Sequence, residues 1–137
     1  IITLENINEN IGMGMLGFFN KSVGEKELFD LIKKKLGTKF LQHSKLLNKP
    51  IKKIAVLGGS GSFAIHNAIS KKVDAFLTAD LKYHDYFKAE NKILLVDIGH
   101  YESEQYTKNI LFDILRKKFP NFAIVLANTN TNPVNYT

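Results

Sequence analysis

In the stretch DIGHYESEQYT, residues 97–107, a histidine and a glutamate stand four positions apart, His100 and Glu104. On a helix that spacing puts both side chains on one face. An imidazole nitrogen and a carboxylate converging on one point are donors for a divalent cation. They also make an acid–base pair. A plainer reading is an acidic helix start, with Glu102 and Glu104 favoured by the helix dipole. Asp97, just before, is placed to hold the imidazole ring from behind. Two donors do not complete a zinc shell, which takes three or four protein ligands. Spacing alone leaves these readings open.

Two further stretches carry the residue types of a site. TADLKYHD, residues 78–85, holds Asp80, His84 and Asp85. Read as a helix start, Asp80 is an N-cap and His84 sits one turn on, above it, as a proton donor or substrate contact. The alternative is a cap followed by an exposed histidine. GGSGSFA, residues 58–64, fits G-x-G-x-x-A through Gly59, Gly61 and Ala64, and Asp80 lies about 20 residues on. That is the loose form of a dinucleotide fingerprint, in which amide groups at a helix N-terminus hold a pyrophosphate. A tight strand-to-helix turn needs the same glycines. His43 and His66 lack acidic neighbours and read as structural or exposed.

These stretches need elements that position them. Residues 12–21, Gly-rich and apolar, read as a strand with glycine bends. Ser22 and Glu25 form an S-x-x-E capping box for a helix in which Leu28, Leu31, Ile32 and Leu36 recur at helical spacing, with Gly37 as its stop. A short strand is expected over 39–42. After Pro50, apolar runs at 54–57, 75–78, 93–98 and 122–126 alternate with helical segments at 63–72, 81–90 and 102–118. Strands apolar on both faces, separated by helices, predict an α/β layered sandwich with a largely parallel sheet flanked by helices. Such sheets place their sites at the carboxyl ends of the strands, where all three polar stretches fall. Asn132-Pro133 reads as a turn in an aperiodic tail.

The 137 residues suffice for one compact domain, with residues 1–11 as a linker before a domain over 12–137. No apolar run approaches the roughly 20 residues that span a bilayer. Cysteine is absent, which excludes disulfides and thiolate metal sites and fits a cytoplasmic setting. Any metal must be held by His and carboxylate. The net charge is +6, but the lysines are scattered, and many fall at helix ends, where they suit the macrodipole. That pattern does not point to nucleic acid as a partner.

Taken together, KPIKKIAVLGGSGSF, AFLTADLKYHDYF, ILLVDIGHYESEQ and NTNPVNY resemble the C-terminal half of the NIF-three-like proteins. These are also called the GTP cyclohydrolase type-two homologues, or the dinuclear metal centre family. The resemblance runs from about residue 12 to the end, and it makes residues 1–11 the close of an inserted accessory domain. It implies a two-lobed α/β fold, a hexameric ring as homo-oligomer, and two divalent metal ions, zinc, iron or similar. It makes His100 and Glu104 two of the ligands and leaves a His-His pair and an Asp to the other half; this chain has no His-His pair. Asp80 and His84 would line the pocket, and the glycine loop becomes a family mark instead of a dinucleotide site. The activity implied is metal-dependent hydrolysis of a nucleotide or other phosphorylated small molecule, with His84 as candidate proton carrier. The alternative is a non-enzymatic ring-forming scaffold or regulator.

Overall fold

The computed structural model describes residues 2, 3 and 12–135. The chain divides into two compact units, Ile1–Ser103 and Glu104–Thr137. The first is built on a five-stranded sheet of order β3-β5-β6-β7-β4. The short strands β1 (Ile2–Thr3) and β2 (Gly12–Met13) pair antiparallel in a separate ribbon. At the centre, β5 (Ile51–Ser60), β6 (Ala75–Ala79) and β7 (Leu94–Asp97) run parallel. Both edges are antiparallel: β3 (Met15–Val23) against β5, and β4 (Gln42–His43) against β7. The architecture is α/β, as the alternation of apolar runs predicts.

Side chains of successive strand residues leave opposite faces, and both faces are buried. One core holds Ala55, Leu57, Phe76 and Leu95 with Ala64, Ile65 and Ala68 of the following helical segment. The other holds Ala75, Leu77, Leu94 and Val96 with Leu28 and Ile32. Every residue of β6 is buried, which is why it reads as a continuous apolar run. Leu28 and Ile32 come from helix α1 (Glu25–Leu36). Its Gly37 cap stands at φ 67, and its amide donates to the Lys33 carbonyl at 2.9 Å. Lys33, Lys34 and Lys35 fill its last turn, as the scattered charge predicts. The start differs from expectation. Ser22 is still in β3; the amide of Gly24, the N-cap residue, donates to the Glu27 carboxylate at 3.4 Å, so only the glutamate half of a capping box forms, two residues later.

Helix α2 covers only Ile65–Ser70, after a 3₁₀ turn at Ser62–Ala64. Residues 83–89 form a 3₁₀ segment in place of the expected α-helix over 81–90. The long helix expected over 102–118 is two: α3 (His100–Glu104) and, in the second unit, α4 (Thr107–Lys118). The apolar run 122–126 forms no strand. A parallel strand beside β7 would need its outer edge, and β4 already pairs there.

Candidate functional site

The carboxyl ends of the three parallel strands each carry a residue in the left-handed region: Gly59 at φ 67, Asp80 at φ 56 and Gly99 at φ 85. That conformation turns the chain sharply away from the sheet and is easy only for glycine and, less so, Asn and Asp. These turns bring the polar stretches of the first unit to one edge.

There the Asp80 carboxylate meets His100 Nδ1 at 2.6 Å. Both side chains stay about half open to solvent, at 51% for His100 and 47% for Asp80. The expectation for these residues is corrected in two ways. Asp80 caps no helix: the 3₁₀ segment begins at Tyr83, and it is the Asp85 carboxylate that accepts the Lys82 amide, at 2.9 Å. His84 therefore does not stack above Asp80. It packs edge-on against Tyr83, with ring centroids 5.2 Å apart, and faces Phe87 at 6.3 Å. All three rings are exposed.

Asp97 also takes a different task from the one expected. Its Oδ2 accepts the Leu81 amide at 2.8 Å and its Oδ1 the Gly99 amide at 3.0 Å. Leu81 follows Asp80 and Gly99 precedes His100. One carboxylate thus clips the two loops that carry the pair, while Asp80 holds the imidazole.

The glycine loop is wired into the same edge. The Gly59 amide donates to Ser103 Oγ at 2.9 Å, and Ser103 Oγ donates to the His100 carbonyl at 2.7 Å. The buried Thr78 hydroxyl donates to the Gly59 carbonyl at 3.0 Å. A methyl group built on Gly61 would lie 2.1 Å from Thr78 Oγ1 and 3.0 Å from Leu57 Cδ2. Gly59 and Gly61 thus serve a bend and a close approach, and the Gly59 amide is spent on Ser103. Nothing here favours a pyrophosphate over the turn. Ser103 and Thr78, which tie the loop to the site, escaped the sequence reading. Their one signal is a hydroxyl within a polar stretch.

Lys88 Nζ reaches Asp85 at 2.6 Å, and this contact, with the Lys82 amide, holds the Asp85 carboxyl below its ordinary range. Tyr86 lies on the same segment, and its enclosed hydroxyl has no hydrogen-bond partner among the described residues. Its phenol is pushed up to about 12, first by burial and then by the charges of Asp97 and Asp85. Tyr86 also lines a cavity of about 380 Å³ with Ser44, Lys45, Tyr83, Phe87 and Glu90, none of them a residue of the strand-end cluster. His43 Nδ1 donates to the Ser44 carbonyl and its ring stacks on Phe29 at 4.7 Å, and His66 is exposed.

Glu104 ends α3 and opens the second unit. Among the described residues, no three His, Asp or Glu side chains gather as a cation site. As chemistry, the donor set fits a divalent ion in part. An imidazole whose Nδ1 faces a carboxylate is the arrangement of metal-bound histidines, and a glutamate at helical spacing is a second donor. A full coordination shell takes more than these two.

Fold and strand-end cluster define an α/β protein with a polar site at the mouth of a parallel sheet. The model of the family Duf34/NIF3 (NGG1p interacting factor 3) matches residues 1–133, and the chain belongs to that family. Among curated relatives, a GTP cyclohydrolase 1 type 2 homolog of Staphylococcus epidermidis is 34% identical over 136 residues, 96% of this chain and 37% of the relative. One of Campylobacter jejuni is 37% identical over 122 residues, 87% of this chain and 47% of the relative. The chain therefore spans less than half the length of these relatives. A Bacillus cereus protein related to NIF3 superposes with a TM-score of 0.80 at 27% identity, covering 98% of this chain and 38% of that one. Staphylococcus aureus protein SA1388 gives 0.79 at 28% identity, covering 92% and 42%.

Proposed function

We propose that this chain supplies the His100 and Glu104 ligands of a two-metal centre in a GTP cyclohydrolase type-two homologue. The observation that carries the reading is the 2.6 Å contact between Asp80 and His100 Nδ1 at the strand ends. An ionised carboxylate only accepts, so it keeps a proton on Nδ1 and assigns the ligand lone pair to Nε2. Glu104, four residues on, adds a carboxylate by helical spacing. The remaining donors, a His-His pair and an Asp, belong in this reading to the other half of the fold. Zinc, iron or a similar ion bound there supplies Lewis-acid polarisation of a phosphoryl oxygen or ring carbon. The chain's own residues hold and orient: Asp97 fixes both loops, Ser103 fixes the His100 backbone, and His84 carries a proton at the rim. The substrate class is a nucleotide or other phosphorylated small molecule, and the assembly a homo-oligomeric ring.

The test is zinc titration of this chain against the variant carrying both His100→Ala and Glu104→Ala, read by calorimetry. Weak binding is expected, because two donors leave coordination incomplete, and the double variant should lose it. Equal uptake by both would overturn the assignment. Turnover of GTP by metal-loaded protein separates catalysis from a second reading, a ring-forming scaffold with a structural metal. That reading is favoured by the apolar stripe on α4, where Ile110, Leu111, Ile114 and Leu115 are all exposed.

A further inference from the structure

We infer that the cavity of about 380 Å³ is a preformed binding site for a flat aromatic ring that carries a carboxylate. Neither His100 nor Glu104 lines it, so the inference stands apart from the metal reading. Its walls come from three pieces of the first unit. Ser44 and Lys45 follow β4, Tyr83 and Phe87 belong to the 3₁₀ segment, and Glu90 and Asn91 lie in the turn that leads to β7. Each wall is fixed from outside the cavity. Ser44 is buried; its amide donates to the Leu95 carbonyl at 2.9 Å and its Oγ accepts the Leu95 amide at 3.0 Å. A few residues on, the buried Glu25 carboxylate accepts the Leu47 and Asn48 amides at 2.7 and 3.1 Å. In the turn, the Glu90 amide donates to the Phe87 carbonyl at 3.1 Å and the Lys92 amide to the Ala89 carbonyl at 2.7 Å. These bonds hold Glu90 at φ 47 and Asn91 at φ 53, two successive side-chain-bearing residues in the left-handed region. Strain of that kind persists where the surroundings enforce it, and ligand clamps are such places. Walls fixed before binding lose little affinity to ordering.

The chemistry of the lining selects the occupant. Tyr83 and Phe87 are 74% and 65% exposed, with ring centroids 5.3 Å apart and planes at 73°. Two rings at that angle offer a face and an edge to a third, the geometries aromatic rings prefer. Lys45 is exposed and makes no ion pair among the described residues. The one acid of the lining, Glu90, is already paired with Lys92. The Ser44 hydroxyl accepts one bond and keeps its own hydrogen to donate. The polar lining is thus rich in donors and carries an uncompensated positive charge, which complements a carboxylate. The volume falls at the lower end of the roughly 300–1,000 Å³ of small-molecule sites, room for one ring system.

The test is a ¹H–¹⁵N NMR titration of the 137-residue chain with three probes. Nicotinate has the ring and the charge, nicotinamide the ring alone, and cyclohexanecarboxylate the charge without a flat ring. Nicotinate should bind most tightly and move the amides of Lys45, Asn91 and Ile93. Tyr83→Ala and Phe87→Ala should each weaken it about tenfold, the scale of one lost stacking contact. Lys45→Met should weaken nicotinate about threefold or more and leave nicotinamide unchanged. All three positions are exposed, and core amides such as those of Ala55 and Phe76 that stay in place report an intact fold. Saturable binding of nicotinate that these variants leave untouched overturns the location. Equal affinity for cyclohexanecarboxylate overturns the ring, and equal affinity for nicotinamide overturns the charge. No amide shift with any probe overturns the site itself.

Discussion

Gly61 and Thr78 meet so closely that neither can be altered alone without consequence. A methyl at position 61 would fall 2.1 Å from a hydroxyl that is buried and already donating to the Gly59 carbonyl. Gly61→Ala should therefore destabilise the fold by about 1–3 kcal/mol, the usual range for overpacking, in urea unfolding. Adding Thr78→Ala removes the obstructing oxygen, so the two losses should sum to less than their separate values. Tyr86 gives a pH prediction. Its phenol is raised to about 12, so the unfolded chain, at the ordinary value of 10.0, ionises first as pH rises. The stability it contributes is whole below pH 10 and is lost as pH climbs toward 12. Tyr86→Phe should flatten that alkaline loss and leave neutral-pH stability equal or higher, because it also deletes a hydroxyl with no partner among the described residues. Thermal melts from pH 8 to 11.5 would show it. At this scale sequence spacing places Asp97 behind the imidazole, and the structure puts Asp80 there. Asp97 is nearer to His100 in sequence than Asp80, so it looked like the partner of the ring. The partnership with Asp80 forms across two strands, and no local pattern encodes it.

Among the elements, the three parallel strands and α1 were legible because their burial is periodic or continuous and, β6 apart, their ends carry glycine. What failed were segments whose geometry is set from outside. The residues 83–89 alternate like a helix but wind as 3₁₀, ending at Glu90, which takes φ 47. The run 122–126 has strand composition and forms no strand. The break between α3 and α4 at Gln105–Tyr106 has neither proline nor glycine to announce it. Where elements are joined by one side chain, the joint can be tested. Asp97→Ala removes the acceptor of two amides, on Leu81 and Gly99. Both amides should then exchange with solvent deuterium faster, by at least tenfold, while Leu94 and Val96 within β7 keep most of their protection. Equal exchange at Leu81 and Gly99 in both proteins would mean that Asp97 is not the clip.

For the whole molecule, the informative property is where apolar surface stays in water. No helix among the described residues is long and apolar enough to cross a membrane. Yet α4 buries none of its residues, although its sequence repeats Ile110, Leu111, Ile114 and Leu115 as a core-facing helix would. A stripe of that kind favours association. Static light scattering should show a mass above that of one chain as concentration rises, and Ile114→Lys, placing charge in the stripe, should shift it back. A single-chain mass at millimolar concentration would count against this.

The left-handed exits of the parallel strands have a practical consequence for redesign. Gly59 and Gly99 leave no freedom there, since their backbone angles, 67° and 85°, disfavour any side chain. Asp80, at 56°, is the one exit that bears a functional group. Among these three exits, only position 80 is an exchangeable one. Asp, Asn and Gly all tolerate a left-handed backbone, so position 80 can present the histidine opposite with a charge, a neutral acceptor or no side chain.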